Sequence, residues 1–102
     1  MELKVIVRNN TDFSPLLKEY LHKKVARLEH FTNQGRFNVE AIVSEEGPQK
    51  VCELLTRLKG KEIFARGRGN DFKKAVDEVH PRFKLQLEKY FKKKIDAKRR
   101  SK

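Results

Sequence analysis

The feature that most constrains the fold is one apolar stripe in the last third of the chain. Its members recur every three or four residues, the spacing that brings side chains to one face of an α-helix. The stripe consists of Phe72, Val76, Val79, Phe83, Leu87 and Tyr90. A helix of this kind docks by that face, so the rest of the chain has to supply a matching apolar layer.

A row of polar side chains runs beside this stripe. An advance of 100° per residue places Arg82, Gln86, Lys89 and Lys93 on one flank. Residues 71–102 hold twelve Lys or Arg against five Asp or Glu, and so carry +7 of the chain's formal net charge of +11. Rows of charge on helices are usually solvated faces, but this excess of cations indicates a surface that meets a polyanion.

The upstream residues predict a shorter helix and four strands. Ser14 followed by Pro15 starts the helix, because the hydroxyl can cap free amides and proline at the first position loses no hydrogen bond. Its apolar stripe includes Leu16 and extends to Phe31. Alternation of apolar and polar side chains predicts the strands, with Val7 on the buried face of the first. The strands span residues 3–8, 37–44, 52–58 and 63–68.

The order β-α-β-β-β-α predicts an α+β fold. A right-handed crossover makes strands 1 and 2 parallel, strands 2, 3 and 4 form an antiparallel meander, and both helices cover one face of this four-stranded mixed sheet. Small inward residues on the fourth strand, Ala65 and Gly67, would let a helix lie close. Pro81 is expected to kink the last helix without breaking it. Residues 1–95 form a single domain, and the short basic tail 96–102 is expected to fray.

Lys24 lies near the middle of the first helix's apolar stripe, where a cation is unexpected. Either its stem packs while the ammonium reaches water, or the ammonium is held in a groove between the two helices. Both interpretations stay open at this stage. Lys23 and Arg27 lie along one flank of the same helix, and they would extend the cationic surface if the two helices lie side by side.

Composition argues against an enzyme. The single cysteine, Cys52, falls on a predicted inward strand face, where a buried inert thiol is expected. The histidines His22, His30 and His80 do not have the spacing of metal ligands. We therefore expect no catalytic site, no metal, no cofactor and no small-molecule substrate. No signal peptide or membrane-spanning run is visible, so the expected location is cytoplasmic and no membrane partner is expected.

The second half contains the segments Gly47-Pro48, Gly60, Gly67-Arg68-Gly69 and Lys73-Lys74-Ala75. In these segments it resembles the double-stranded RNA-binding domain, in which paired lysines at the start of the last helix bind phosphates. That family begins with a helix, and it places a histidine shortly after the Gly-Pro, where this chain has Gln49 and Lys50. Binding of duplex RNA without ribosome preference is the alternative function.

Another set of motifs extends over the whole chain. It consists of Lys24-Val-Ala-Arg27-Leu28-Glu29 closed by Phe31, Gly60-Lys-Glu-Ile63-Phe-Ala65, Gly69 with Asp71, Ala75-Val76-Asp77, and Arg82-Phe83 with Gln86-Leu87 and Lys89. In these motifs the chain is more similar to the ribosome hibernation promoting factor and protein Y family, in its short form. The similarity covers residues 1 to about 94 and departs from the family at Pro81 and at Phe91, where a basic residue is common.

This resemblance implies a translation inhibitor of idle ribosomes during stress. It would enter the decoding channel of the small ribosomal subunit, contact rRNA and block mRNA and tRNA. The whole ribosome or ribosome dimers are further expected partners, and the free protein is expected to be a monomer. The expected RNA-binding residues are Lys23, Lys24, Arg27, Arg82, Gln86, Lys89, Lys92 and Lys93, with a secondary set of Arg66, Arg68, Lys73 and Lys74.

Overall fold

The structure, a computed structural model, describes residues 2–9, 11–28 and 38–100, with side chains as far as Lys92. The predicted order of elements and the α+β class are confirmed. The predicted end of the first helix at Phe31, and the predicted start of the second strand at Phe37, lie outside the described residues. The elements are β1 (Glu2–Val7), α1 (Pro15–Ala26), β2 (Asn38–Glu46), β3 (Gln49–Leu58), β4 (Lys61–Gly69) and α2 (Phe72–Arg100).

The four strands form one sheet in the order β1-β2-β3-β4. Strands β1 and β2 are parallel, with Val5 opposite Ala41, and the two later pairs are antiparallel. The inward side chains of the strands and the apolar stripes of both helices form one buried cluster. Both helices therefore cover the same face, as predicted, and the other face of the sheet carries no helix among the described residues.

Both helices begin where the sequence indicates. The N–H of Leu17 donates to Ser14 Oγ at 3.2 Å, and the N–H of Lys74 donates to Asp71 Oδ1 at 2.8 Å. Helix α2 continues through Pro81, so the prediction that it is not broken there is confirmed. The predicted kink remains a prediction. The backbone of α2 is helical to Arg100, so residues 96–100 continue this helix, and fraying of the tail also remains a prediction.

Two apolar side chains differ from the sequence expectation. Leu16 is 77% exposed, because α1 turns its neighbour Leu17 together with Leu21 and Val25 toward the core. Val7 is 38% exposed although it points to the helix-covered side, because it ends an edge strand that α1 does not fully cover.

Cys52 is fully buried on the inner face of β3, as predicted. Burial, with a smaller contribution from the charge of Glu53, raises the pKa of the thiol to about 12. A thiol is nucleophilic only as the thiolate, so this side chain stays protonated and unreactive at neutral pH.

Helix α2 lies unusually close to β4 over Gly67. A Cβ atom placed on this glycine would stand 2.4 Å from the carbonyl oxygen of Ala75 and 2.5 Å from the backbone nitrogen of Val79. Both are backbone atoms inside the helix, so no side-chain rotation can relieve the clash. The expectation that small residues on this strand permit close packing is confirmed.

We expect Gly67→Ala to lower the free energy of unfolding by about 3 kcal/mol, because the helix must move away from the sheet to make room. Gly47→Ala is the matched control, since its Cβ would meet nothing within 4 Å although its φ of +59° carries strain. That control should cost about 1 kcal/mol. Urea unfolding of both variants measures the difference, and equal losses would show that the close packing is unimportant.

Candidate nucleic-acid interface

Helices α1 and α2 are joined by a polar contact above the core. The hydroxyl of Tyr20 on α1 donates to Asp77 Oδ1 on α2, and Lys24 Nζ lies 3.7 Å from the same oxygen. Lys24 Nζ and Lys73 Nζ each lie 5.7 Å from the centre of the Tyr20 ring, within cation–π range. One carboxylate and one ring thus organise cations from both helices.

The position of Lys24 decides between its two interpretations. Its side chain is 25% exposed and its ammonium pairs with the opposite helix. The ammonium is therefore held in the groove between the helices, rather than simply reaching past the core to water.

His80 reports the electrostatic character of this groove. Its pKa is lowered first by burial and then by the positive charge of Lys24, with smaller effects from the charges of Lys84 and Arg27. A hydrogen bond to the backbone of Lys24 acts in the opposite direction and raises the pKa. Its Nε2 is buried without a hydrogen-bond partner among the described residues. Cations from both helices therefore converge on one imidazole. We call this surface the interhelical groove, lined by Tyr20, Lys24, Arg27, Lys73, Asp77, His80 and Lys84.

The predicted polar row on α2 lies on the other side of that helix, above the edge of the sheet. Arg82 Nη1 donates to the carbonyl of Arg66 at 2.8 Å and Gln86 Nε2 donates to the carbonyl of Phe64 at 2.6 Å. Farther along, the hydroxyl of Tyr90 donates to the carbonyl of Lys59 at 2.9 Å. This β4 flank, defined as Arg82, Gln86 and Lys89, therefore closes the outer edge of β4 as well as presenting cations.

The two halves of the predicted RNA-binding set are consequently not contiguous. Arg27 and Lys24 belong to the interhelical groove, whereas Arg82 and Lys89 lie on the far flank of α2. Lys23 is exposed on α1 and pairs with Glu19 at 3.7 Å, one turn earlier. Lys92 is exposed on α2, and the side chain of Lys93 lies outside the described residues.

The secondary set divides in the same way. Arg66 and Arg68 lie on the face of the sheet without helices, where Arg66 Nη2 contacts Glu46 Oε1 and Arg68 Nη2 lies 3.5 Å from Glu46 Oε2. Lys73 joins the interhelical groove, and Lys74 is exposed at the start of α2. The carboxylate of Glu46 offsets part of the charge on the open face.

Of the side chains on the groove side of α2, sequence reasoning assigned only Lys73 to the RNA-binding set. Lys73, Asp77, His80 and Lys84 have the spacing i, i+4, i+7 and i+11, which is the same spacing as in the row Arg82, Gln86, Lys89 and Lys93. The periodicity therefore marks two polar flanks without saying which one faces α1. Only the position of α1 beside α2 distinguishes them.

Phe91, one of the departures from the family pattern, packs partly against the core and makes an edge-to-face contact with Tyr90 at 5.1 Å between ring centres. This position serves packing and presents no cation. Among the described residues, no group of three His, Cys, Asp or Glu side chains could hold a metal ion. In the same part of the chain, no helix is long and apolar enough to cross a membrane.

Comparison with known proteins fits this architecture. Residues 5–95 match the family described as Sigma 54 modulation protein / S30EA ribosomal protein. The chain belongs to this family. It is the hibernation promoting factor family that the sequence motifs resemble. Its members are ribosome-associated modulation proteins rather than a known class of enzymes, which implies ribosome binding and a cytoplasmic location.

Two solved structures are similar over most of their length. A ribosomal subunit interface protein from Coxiella burnetii is 26% identical, with a TM-score of 0.77 over 88% of this chain and 97% of that one. The Protein Y N-terminal domain from Thermus thermophilus is 21% identical, also with a TM-score of 0.77, over 88% and 99%. At that identity the second comparison supports the fold alone. No curated protein sequence matches the chain.

The contact between the helices has a measurable signature. The hydrogen bond to Asp77, followed by burial, raises the pKa of Tyr20 from 10.0 to about 12. The folded protein therefore favours the neutral phenol. Stability from this contact is complete below pH 10 and is lost as the pH rises toward 12, because the unfolded tyrosine releases its proton first.

In a Tyr90→Phe background, we expect Asp77→Asn to return the Tyr20 pKa toward 10, measured by the ultraviolet absorbance of tyrosinate. Glu78→Gln is the control, because that neighbouring carboxylate pairs with Arg82 at 3.1 Å and does not contact Tyr20. A Tyr20 pKa that is unaffected by Asp77→Asn, or that falls equally in Glu78→Gln, would contradict the contact.

Proposed function

We propose that the protein binds the small ribosomal subunit in the decoding channel through contacts to rRNA. Bound there, it occupies space that mRNA and tRNA require and inhibits translation by idle ribosomes. Membership of a ribosome-associated family supplies the ribosome as the partner. The similarity to a ribosomal subunit interface protein supports a site within the ribosome.

The observation that carries this proposal is the interhelical groove. Lys24 lies on α1, Arg27 follows directly after that helix, and Lys84 lies on α2. After burial, the charges of these three cations each lower the pKa of His80. Both helices are fixed to the sheet by their apolar stripes, so the cations are positioned before binding. Folded RNA is recognised largely by shape and by the positions of its phosphates, which suits a rigid array drawn from two elements.

The β4 flank is a second surface for the same RNA. Arg82 is held by the carbonyl of Arg66 and by Glu78, which fixes its orientation, and Lys89 is exposed beyond it. Because the groove and this flank lie on opposite sides of α2, both can be engaged only by RNA that reaches across the helix. This geometry favours a channel over a flat RNA surface.

Binding of duplex RNA without ribosome preference is the weaker candidate. Strand β1 is paired with β2 over six residues and continues the sheet, whereas the double-stranded RNA-binding domain begins with a helix. The test below includes duplex RNA so that the two candidates are separated.

We expect the triple variant Arg27→Glu, Arg82→Glu, Lys89→Glu to lose most of its affinity for small subunits in co-sedimentation. If about five phosphates are neutralised, log K for the native protein should fall against log salt with a slope near −3.5 to −4.5. Each lost phosphate contact should reduce the slope by about 1. Lys61→Glu, an exposed cation at the β3–β4 turn, is the control and should bind normally.

The proposal fails if the triple variant sediments with small subunits like the native protein, or if the salt slope is near zero. Equal affinity for large subunits, small subunits and duplex RNA would instead support unspecific RNA binding. An inhibition assay with purified ribosomes and mRNA checks the second step. In that assay, the native protein should prevent ribosomes from binding mRNA, whereas the triple variant at the same concentration should not.

A second test uses His80 as a reporter of the groove. Positive charge and burial lower its pKa in the free protein. Phosphates entering the groove oppose that positive charge, so the pKa should rise when the protein binds an rRNA fragment. Titration of the His80 ring protons by nuclear magnetic resonance, with and without RNA, measures the change. His22, exposed on α1, is the internal control, and equal changes at both histidines would argue against binding in the groove.

A further inference from the structure

Strand β1 has one paired edge and one free edge. The N–H of Arg8 donates to the carbonyl of Val43 at 3.0 Å, which sets the phase of the parallel ladder with β2. Alternate residues then direct their backbone groups toward β2, namely Lys4 and Ile6. The N–H and C=O groups of Leu3, Val5 and Val7 consequently point away from β2, and no strand pairs with them among the described residues.

The two outer edges of the sheet are treated differently. Along β4, side chains of α2 donate to the carbonyls of Arg66 and Phe64, which closes that edge. Among the described residues of the rest of the chain, no side chain donates to the carbonyls of β1 in this way. An unpaired strand edge is a template for another strand, and proteins usually cover or disrupt it.

We infer that a second copy of this chain occupies the free edge, pairing β1 with β1 antiparallel about a twofold axis at Val5. A symmetric pair about residue 5 places Leu3 opposite Val7 of the second copy. The free backbone groups of Leu3, Val5 and Val7 in one copy then lie opposite those of the same three residues in the second copy. Each opposed pair exchanges both N–H···O=C bonds, and the two sheets become one sheet of eight strands.

The side chains support this register over its neighbours. Glu2 falls opposite Arg8 of the second copy, and the symmetry produces this opposite-charge pair twice. Both side chains are exposed, and neither forms an ion pair with another of the described residues. Lys4 falls opposite Ile6 of the second copy, whose half-buried side chain can pack against the lysine stem.

The apolar face of the strand gives a further reason. Val7 is 38% exposed on the helix-covered side of the sheet, where the other inward residues of the strands are largely buried. In the paired arrangement Val7 lies beside Leu3 of the second copy. This contact extends the apolar core of each copy across the shared strand edge. A shift of the register by one residue would lose this contact and the Glu2–Arg8 pair together.

Self-pairing through β1 is compatible with RNA binding. The β4 flank lies at the opposite edge of the sheet, and the interhelical groove opens between the helices. One pair of short strands buries little area, so the association is weak and opposed by the net charge of +11 on each copy. The expectation of a monomer then holds only for dilute protein.

The backbone amides provide the most direct test. As the concentration of the intact protein rises to about 1 mM, the weak end of specific association, amide exchange should slow at Leu3, Val5 and Val7. It should be unchanged at Lys4 and Ile6, whose N–H groups already bond to β2. Sedimentation equilibrium over the same range should show a monomer–dimer equilibrium.

Charge reversal tests the register. Glu2→Arg or Arg8→Glu alone should weaken the dimer by roughly 2- to 30-fold, because two cross-strand pairs become repulsive. The double variant Glu2→Arg, Arg8→Glu restores opposite charges and should recover most of the affinity. Val5→Pro should abolish pairing without removing a bond to β2, because the N–H of Val5 faces the free edge.

Other outcomes overturn the inference. A native protein that stays monomeric to about 1 mM excludes self-pairing, even if a foreign extended peptide binds the edge. Dimers that survive Val5→Pro, or that the double charge variant fails to restore, place the contact elsewhere. Binding to small subunits is the folding control, and all four variants should retain it, so that failure here is distinguishable from failure of the proposed ribosome binding.

Discussion

The arrangement of this protein depends on the contact between α2 and β4 at Gly67. Backbone atoms of the helix lie 2.4 and 2.5 Å from the position that a Cβ atom on Gly67 would take, so the helix can approach the strand this closely only because the side chain is absent. That position brings one flank of α2 within hydrogen-bonding distance of the carbonyls of β4 and leaves the other flank facing α1. A residue without a side chain therefore determines where the cations of the helix are placed.

The second constraint is electrostatic and lies between the helices. Asp77 accepts from Tyr20 and pairs with Lys24, so a carboxylate sits inside a surface that is otherwise cationic. An anion here reduces the charge available to RNA, but it also fixes the positions of the Tyr20 hydroxyl and the Lys24 ammonium. The pKa of His80 is lowered first by burial and then by the charge of Lys24, so the groove retains positive charge beside this carboxylate. The contact with Asp77 reduces the net positive charge of the groove but holds Lys24 in a defined position. A defined position favours the binding of a ligand that is recognised by its shape.

The fold was largely predictable because its signals are local. The cap at Ser14, the turns at Gly47 and Gly60, the alternation along the strands and the stripe from Phe72 to Tyr90 each depend on a few consecutive residues. The candidate site was less predictable. The sequence marks two polar flanks on α2, but which flank faces α1 depends on tertiary packing. Leu16 failed for a related reason, since the packing of α1 decides that Leu17, and not its neighbour Leu16, turns toward the core.

The donors on the β4 flank show how a structural contact can also prepare a binding surface. An arginine side chain has five N–H donors, and the bond to the carbonyl of Arg66 uses Nη1 of Arg82, which also lies near Glu78. The Nη2 and Nε groups are left on a guanidinium whose plane is already fixed. A side chain held in this way loses less conformational freedom on binding than an unanchored lysine. The bond that closes the sheet edge therefore also lowers the entropic cost of a phosphate contact at Arg82. Lys92 is exposed farther along α2 and, among the described residues, makes no such bond to the sheet edge, so it lacks this advantage.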